Sequence, residues 1–315
     1  SDISLNMQLP SFTWPFTSES TSIQGDDNAT SALKSRLKAI ELKVGQLNLY
    51  GNNLSAVVVA GKRTATGQSW IINSEQAKGQ LMIENDSKLP IKATFNYIVA
   101  DLPKSEKKTK LDIKQVQQWP SLDLSINRLT INKKFYGLVK LKTSLLEHGV
   151  QIDQLVIDNL LYGLTINGSW QTQGADTASQ FKGEFSSQDF GNFLAVSKIT
   201  SSLKAKKADA AFDLSWPGSP LDYDLKTMTG TAKISVDDGV IPMGGNSVQM
   251  GLGKVLSAFS AQSIERRLKL DFSDIDESGY SFNTMESNVA LAEGDAQFSK
   301  GEFDGPQAKI TFDGG

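Results

Sequence analysis

Apolar residues recur at every second position through almost the whole of this 315-residue chain. A two-residue period is what a β-strand shows when one face is dry and the other wet. In the stretch from Leu122 to Ile131, Leu122, Leu124 and Ile126 alternate with Asp123, Ser125 and Asn127. The phase slips at Asn127-Arg128, and Leu129 and Ile131 resume one residue out of step. A β-bulge absorbs such a slip without turning the apolar set outward. Ile3 to Leu9 alternates in the same way, as do Ile40, Leu42 and Val44, which Leu47 and Leu49 follow out of phase. Val57–Val59, Trp70–Ile72, Leu81–Ile83 and Phe95–Val99 mark further strands. So extensive a dry face needs something to cover it.

The strands come in groups. Val44, Leu47 and Leu49 match Ile126, Leu129 and Ile131, and each set leads into a polar turn, two strands and a Gly-led fourth ending near Ile83 or Ile166. The unit is about 80 residues long, over 36–100 and 121–170, and repeats that cannot close their own core extend a sheet by addition. The chain is therefore expected to be one elongated β fragment, 1–315, with a helix-containing C-terminal part at 187–315. Because the alternation begins at Ile3 with no leader before it, the chain reads as an excised piece of a longer protein.

Helical spacing is rare. Ser187–Ser197 predicts a short helix capped by Ser187, with Phe190, Phe193 and Leu194 on one side. A second helix is predicted over Ser247–Phe259, where Val248, Leu252, Val255, Leu256 and Phe259 repeat at helical spacing and Gly251 and Gly253 weaken it. Polar Thr17–Ser35 and basic 102–110 read as loops.

Several function classes are disfavoured. A net charge of −3 gives no electrostatic case for nucleic acid, and no apolar run reaches the length of a membrane-spanning helix. Cysteine is absent and His148 is the one histidine, in a turn, so thiolate metal sites are unavailable and a serine triad would depend on a turn residue. Asp271, Asp274, Asp276 and Glu277 lack the spacing of a calcium loop, and the glycines of 242–247 lack the lysine of a phosphate cradle. No cofactor is expected. Arg266 and Arg267 form a compact basic pair that either meets an anionic head group or pairs locally with Asp271 and Asp274.

Four motifs in order carry a resemblance: LSWPGSP from Leu214, LGKVLSAF from Leu252, SIERRLKLDFSDIDESGYSFNTMES from Ser263, and FDGPQAKI at 303–310. Together with the strand repeats and endings such as Asn167-Gly168-Ser169-Trp170, they resemble the AsmA-like family of Gram-negative bacteria in its YhdP branch. Glu265, where the family commonly has proline, and Asn283, where it commonly has aspartate, depart from the pattern.

The resemblance implies a non-enzymatic, bridge-like lipid transfer protein, anchored in the inner membrane and crossing the periplasm to bring phospholipid toward the outer membrane. Its implied partners are phospholipid acyl chains, membranes at the ends of the full-length protein, and inner-membrane proteins. The residues agree with an all-β fold: a long, curved, mostly antiparallel sheet forming an open apolar groove, with one or two short helices near the C-terminal end. Roughly 18 to 20 strands would make a ribbon on the order of 90 Å long, which should curl about its dry face. The residues then expected to line the groove are Leu42, Val44, Leu47, Leu49, Leu122, Leu124, Ile126, Leu129, Ile131, Ile152, Leu155, Ile157, Leu164 and Ile166. The helix over 247–259 would close the groove end, and Arg266 and Arg267 would touch head groups. The competing reading is a closed β-sandwich, a structural or adhesion module that buries the same alternation in its own core and binds no lipid.

Overall fold

The structure, a computed structural model, describes residues 3–14, 37–49, 52–101, 112–174, 176–199, 203–241, 280–292, 294–306 and 309–314. The fold is all-β. Sixteen described strands form one mixed sheet in which each strand lies beside its sequence neighbours, in the order β1 to β16. The chain divides into two compact units, 1–109 with 119–144 and 110–118 with 145–315.

The first unit holds β1 (Ile3–Trp14), β2 (Leu37–Leu49), β3 (Asn52–Arg63), β4 (Gly67–Asn73), β5 (Ala77–Glu84), β6 (Ile91–Ala100), β7 (Leu122–Ile131) and most of β8 (Lys134–Leu146). β1–β2 and β6–β7 pair in parallel, and they are the pairs separated by long connections, since a parallel neighbour needs a crossover. The strands from β2 to β6 are joined by short connections and pair antiparallel. β7 and β8 meet at Asn132 and Lys133, whose φ of 49° and 65° suit the two-residue turn that matches strand twist.

The phase slip of β7 is shared. Ile126 and Leu129 pair with Phe95 and Ile98 of β6, which skips the same two positions, so the β6–β7 register runs straight through. The register shifts fall instead on the outer pairings, β5–β6 and β7–β8. In β2 the slip is met without a register shift: Gly45 faces Ala56, whose φ is 53°, between the pairs Val44↔Val57 and Gln46↔Ser55. A methyl on Gly45 would come 2.6 Å from the carbonyl oxygen of Pro10, so glycine is what lets β1 approach.

The second unit holds α1 (Ile113–Val116), β9 (Gly149–Asp158), β10 (Gly163–Gln173), β11 (Asp176–Ser187), α2 (Phe190–Val196), β12 (Lys204–Pro217), β13 (Thr229–Ile241), β14 (Tyr280–Ala292), β15 (Asp295–Asp304) and β16 (Lys309–Gly314). The pairs from β9–β10 through β15–β16 are antiparallel. α1 was not expected from the sequence; four residues are too few to show a helical period, and it is held by burial of Ile113 and by Gln117 donating to the carbonyl of Glu147 at 3.2 Å. α2 matches the expected helix but not its expected cap. The cap is Asp189, which accepts from the Asn192 backbone N–H, while Ser187 ends β11 and donates its hydroxyl to the Leu161 carbonyl at 2.7 Å.

Among the described residues, the aromatic core lies in this unit. Phe190 and Leu194 of α2 pack with Val236, Ile241, Tyr280, Phe282, Phe298, Phe303, Ile310 and Phe312, all buried. Phe303 sits 5.2 Å from the Phe282 ring and 5.1 Å from that of Phe312.

Candidate functional site

In a paired sheet, residues directly opposite one another share a face. In the first unit the register therefore draws two apolar rows. One runs Leu42–Val59–Ile72–Gly79–Phe95–Ile126–Val139 from β2 to β8, and its neighbour runs Ile40–Gly61–Trp70–Leu81–Ala93–Leu124–Leu141. Met7 and Leu5 of β1 extend them. The other face carries Lys62–Ser69–Met82–Lys92–Asp123–Lys142, almost all polar, with Lys142 and Asp123 paired at 3.5 Å.

Burial separates this face from an ordinary core. Two cross-strand pairs, Val44–Val57 on β2–β3 and Ile126–Val139 on β7–β8, are buried at 2 to 8% exposure. Leu42, Val59, Ile72, Leu81 and Phe95 stay half-buried, and Leu5 and Met7 are exposed. The first unit's strands make their closest backbone contacts with their sheet neighbours.

Glycines opposite aromatics flatten the surface. A methyl on Gly61 would fall 2.5 Å from the Trp70 ring, and one on Gly79 would fall 2.5 Å from Phe95, so each ring lies down across the neighbouring strand. Gly61→Val is expected to lift Trp70 off the sheet and cost about 1–3 kcal/mol. Urea unfolding followed by tryptophan fluorescence checks this; an unshifted midpoint would show that the ring needs no such seat.

The second unit repeats the logic in β9–β11 and then departs from it. Ile157–Leu164–Phe185–Ala210–Ile234 form one row, and Leu155–Ile166–Gly183–Phe212–Ala232 the next. These side chains are half-buried as far as Phe185, and the rows then run into the closed core of β12–β16. α2 sits at the changeover. Its Phe193 lies 4.9 Å from Phe185 and 5.2 Å from Tyr162, and beneath it is a 200 Å³ cavity bounded by Phe185, Leu194, Ala208, Ile234 and Phe298 among others. A depression of 490 Å³ lies on the wet face, with Thr165, Glu184 and Lys233 among its lining residues.

The sequence-predicted residues fall as follows. Leu42, Val44 and Leu47 pair with Val59, Val57 and Leu54, and the backbone of Leu49 pairs with Asn52. Leu122, Leu124, Ile126, Leu129 and Ile131 pair with Ile91, Ala93, Phe95, Ile98 and Ala100. In the second unit Ile157 and Leu155 face Leu164 and Ile166, and Ile152 faces Gly168. Val248, Leu252, Val255, Leu256, Phe259, Arg266 and Arg267 lie outside the described residues, as do 102–110 and the acidic run from Asp271. Val59, Trp70, Ile72, Leu81 and Phe185 share the apolar faces although sequence reasoning did not select them. Their signal was the strand alternation itself, together with Gly61 opposite the Trp70 ring.

Two of the motifs turn out to be turns. In LSWPGSP, the Trp216 indole donates to the Ser219 carbonyl at 2.9 Å, the Ser219 hydroxyl donates to Asp222 at 2.7 Å, and Gly218 takes a φ of 94°. In FDGPQAKI, Gly305 leaves room for the Tyr280 hydroxyl, which a methyl there would meet at 2.6 Å.

Most charges lie on the wet face, although Arg63 follows Gly61 on the apolar side of β3. Lys182 and Asp213 pair across β11–β12 at 3.0 Å; the hydrogen bond from Lys182, and then that from Gln180, hold the Asp213 carboxyl below its usual range. Its stabilisation is present above the ordinary carboxylate range and lost as pH falls through the folded value. Since the pair is exposed, Lys182→Ala should leave acid unfolding almost unmoved, as circular dichroism across the acid range would show. Among the described residues no group of acidic or histidine side chains is arranged to hold a metal, and no helix is long and apolar enough to cross a membrane. His148 is exposed beside Glu147 at 3.7 Å.

The family described as "YhdP protein" matches residues 8–315. A curated protein of Escherichia coli (strain K12), "Intermembrane phospholipid transporter YhdP", is 20% identical over 197 residues, covering 62% of this chain and 15% of that protein. The matched part of this chain thus corresponds to a small part of that relative's length. No solved structure matches.

Proposed function

The chain belongs to the YhdP family, and from that premise we propose that its apolar face carries the acyl chains of phospholipid moving between two membranes. The observation that supports this reading most is the pair of apolar rows in the first unit, where Leu42, Val59, Ile72, Leu81 and Phe95 stay only half-buried. A closed structural module would bury such rows, as β12–β16 bury theirs.

Function follows from the rows without a reacting residue. Hydrocarbon laid on them leaves water at about 0.8 kcal/mol per methylene, while the head group stays in solvent. Each position offers similar aliphatic contacts, so a chain shifts along the sheet with low barriers. Flattened rings at Trp70 and Phe95 avoid ridges across that path. Leu42, Val44, Leu47, Leu122, Leu124, Ile126 and Leu129 in the first unit, and Ile152, Leu155, Ile157, Leu164 and Ile166 in the second, line the track in this proposal. So does the expected groove in which the sheet wraps the lipid, as part of a longer protein anchored in the inner membrane, crossing the periplasm and delivering phospholipid toward the outer membrane.

Vesicle extraction tests the reading. The chain, mixed with vesicles carrying a labelled phospholipid and then separated from them by sedimentation, is expected to hold label in the supernatant in proportion to its concentration. Supernatant label no higher than that of an unrelated β-protein would overturn it.

A further inference from the structure

Within the second unit the apolar rows do not fade out; they stop beneath a roof. Ile157, Leu164 and Phe185 are half-buried, and the same row continues through Ala210 and Ile234 into the cavity under α2. Past the cavity the face is shut: Val236 is 1% exposed and Phe298 5%.

We propose that this 200 Å³ cavity is a terminal acyl-chain subsite, which takes the methyl end of one hydrocarbon chain lying on β9–β11. It rests on the reading that lipid occupies the apolar face, and adds where a chain ends. Its walls are the apolar side chains of Phe185, Phe193, Leu194, Ala210, Ile234 and Phe298, and Asp209, which also borders it, is exposed to solvent. Apolar cavities of about 150 Å³ stay dry and take up small apolar guests, so water is a poor occupant and a hydrocarbon end a good one. A head group is excluded, because nothing in that set could replace its lost hydration. The mouth is aromatic: Phe185 and Phe193, 4.9 Å apart, can part by ring rotation without breaking a hydrogen bond. The closed core behind makes the subsite a stop. Chains enter at their methyl end, and strands β13–β16 serve as its back wall and not as further track.

Photocrosslinking tests this with the full chain and vesicles of phosphatidylethanolamine and phosphatidylglycerol. p-Benzoylphenylalanine replaces Leu81, Leu164 or Phe193 in turn, and mass spectrometry locates the adduct along the acyl chain. Adducts from positions 81 and 164 are expected along much of the chain, and those from 193 only near the methyl end. Ala210→Leu, which fills the cavity, should cut the adduct at 193 at least tenfold and leave that at 81 unchanged, with the thermal unfolding midpoint retained. Adducts at 81 and 164 with none at 193, or an adduct at 193 that Ala210→Leu does not reduce, would overturn the subsite while leaving the lipid-carrying face intact. Absence of adduct at all three positions would overturn both.

Discussion

A chain carrying Ile72→Asp with Leu81→Asp is expected to form its sheet and to lose lipid extraction by more than tenfold. Both residues lie in the apolar rows and both are half-buried, so each new carboxylate keeps its hydration in the free protein. With lipid on the face, the same carboxylates would sit against hydrocarbon at a cost of several kcal/mol, against about 1.4 kcal/mol for each factor of ten. Ser69→Asp with Gln80→Asp puts equal charge on the opposite face of the same two strands and should leave extraction unchanged. Ile126 is a poorer choice for this purpose: at 4% exposure it is buried beside Val139, and a carboxylate there would break the sheet as well as the track. Circular dichroism and extraction, measured on both double variants, check the prediction. Equal losses from the two faces would assign the effect to net charge.

Phe303→Ala is expected to have the largest effect on stability. Its side chain is 2% exposed and meets the rings of Tyr280, Phe282 and Phe312, so truncation leaves a hole that the three cannot close together. Such deletions cost about 3–5 kcal/mol. At a urea slope of about 1–3 kcal/mol per molar, the midpoint should fall by more than 1 M. Leu42→Ala, which removes an aliphatic side chain from the open face, should move it far less, because water already reaches the site. If the two substitutions proved equally costly, the open face of the first unit would be a core in disguise.

That contrast also marks how far the sequence could be read. Leu42 and Phe303 both sit in strands with a two-residue period, and the period tells which side of a strand is dry. It does not tell what covers that side, since cover comes from elements distant in sequence. The strands, the all-β class and the short helix at Phe190 were therefore legible, and so was the slip at Asn127-Arg128. The partner of the slip was not: it lies in Asn96-Tyr97 of β6, across a parallel pairing that no local pattern announces. Asp189 displaced Ser187 as a helix cap because β11 runs through Ser187. The glycine-aromatic contacts were written in the chain as Gly61, Trp70, Gly79 and Phe95, yet only the register shows that they meet.

Native mass spectrometry of the chain purified without detergent measures the central claim most directly. The account predicts bound phospholipid on the unaltered chain, released on unfolding, and its loss from the Ile72→Asp, Leu81→Asp variant with the fold intact. A folded chain that carries no phospholipid, or a variant that carries as much as the unaltered chain, would contradict it.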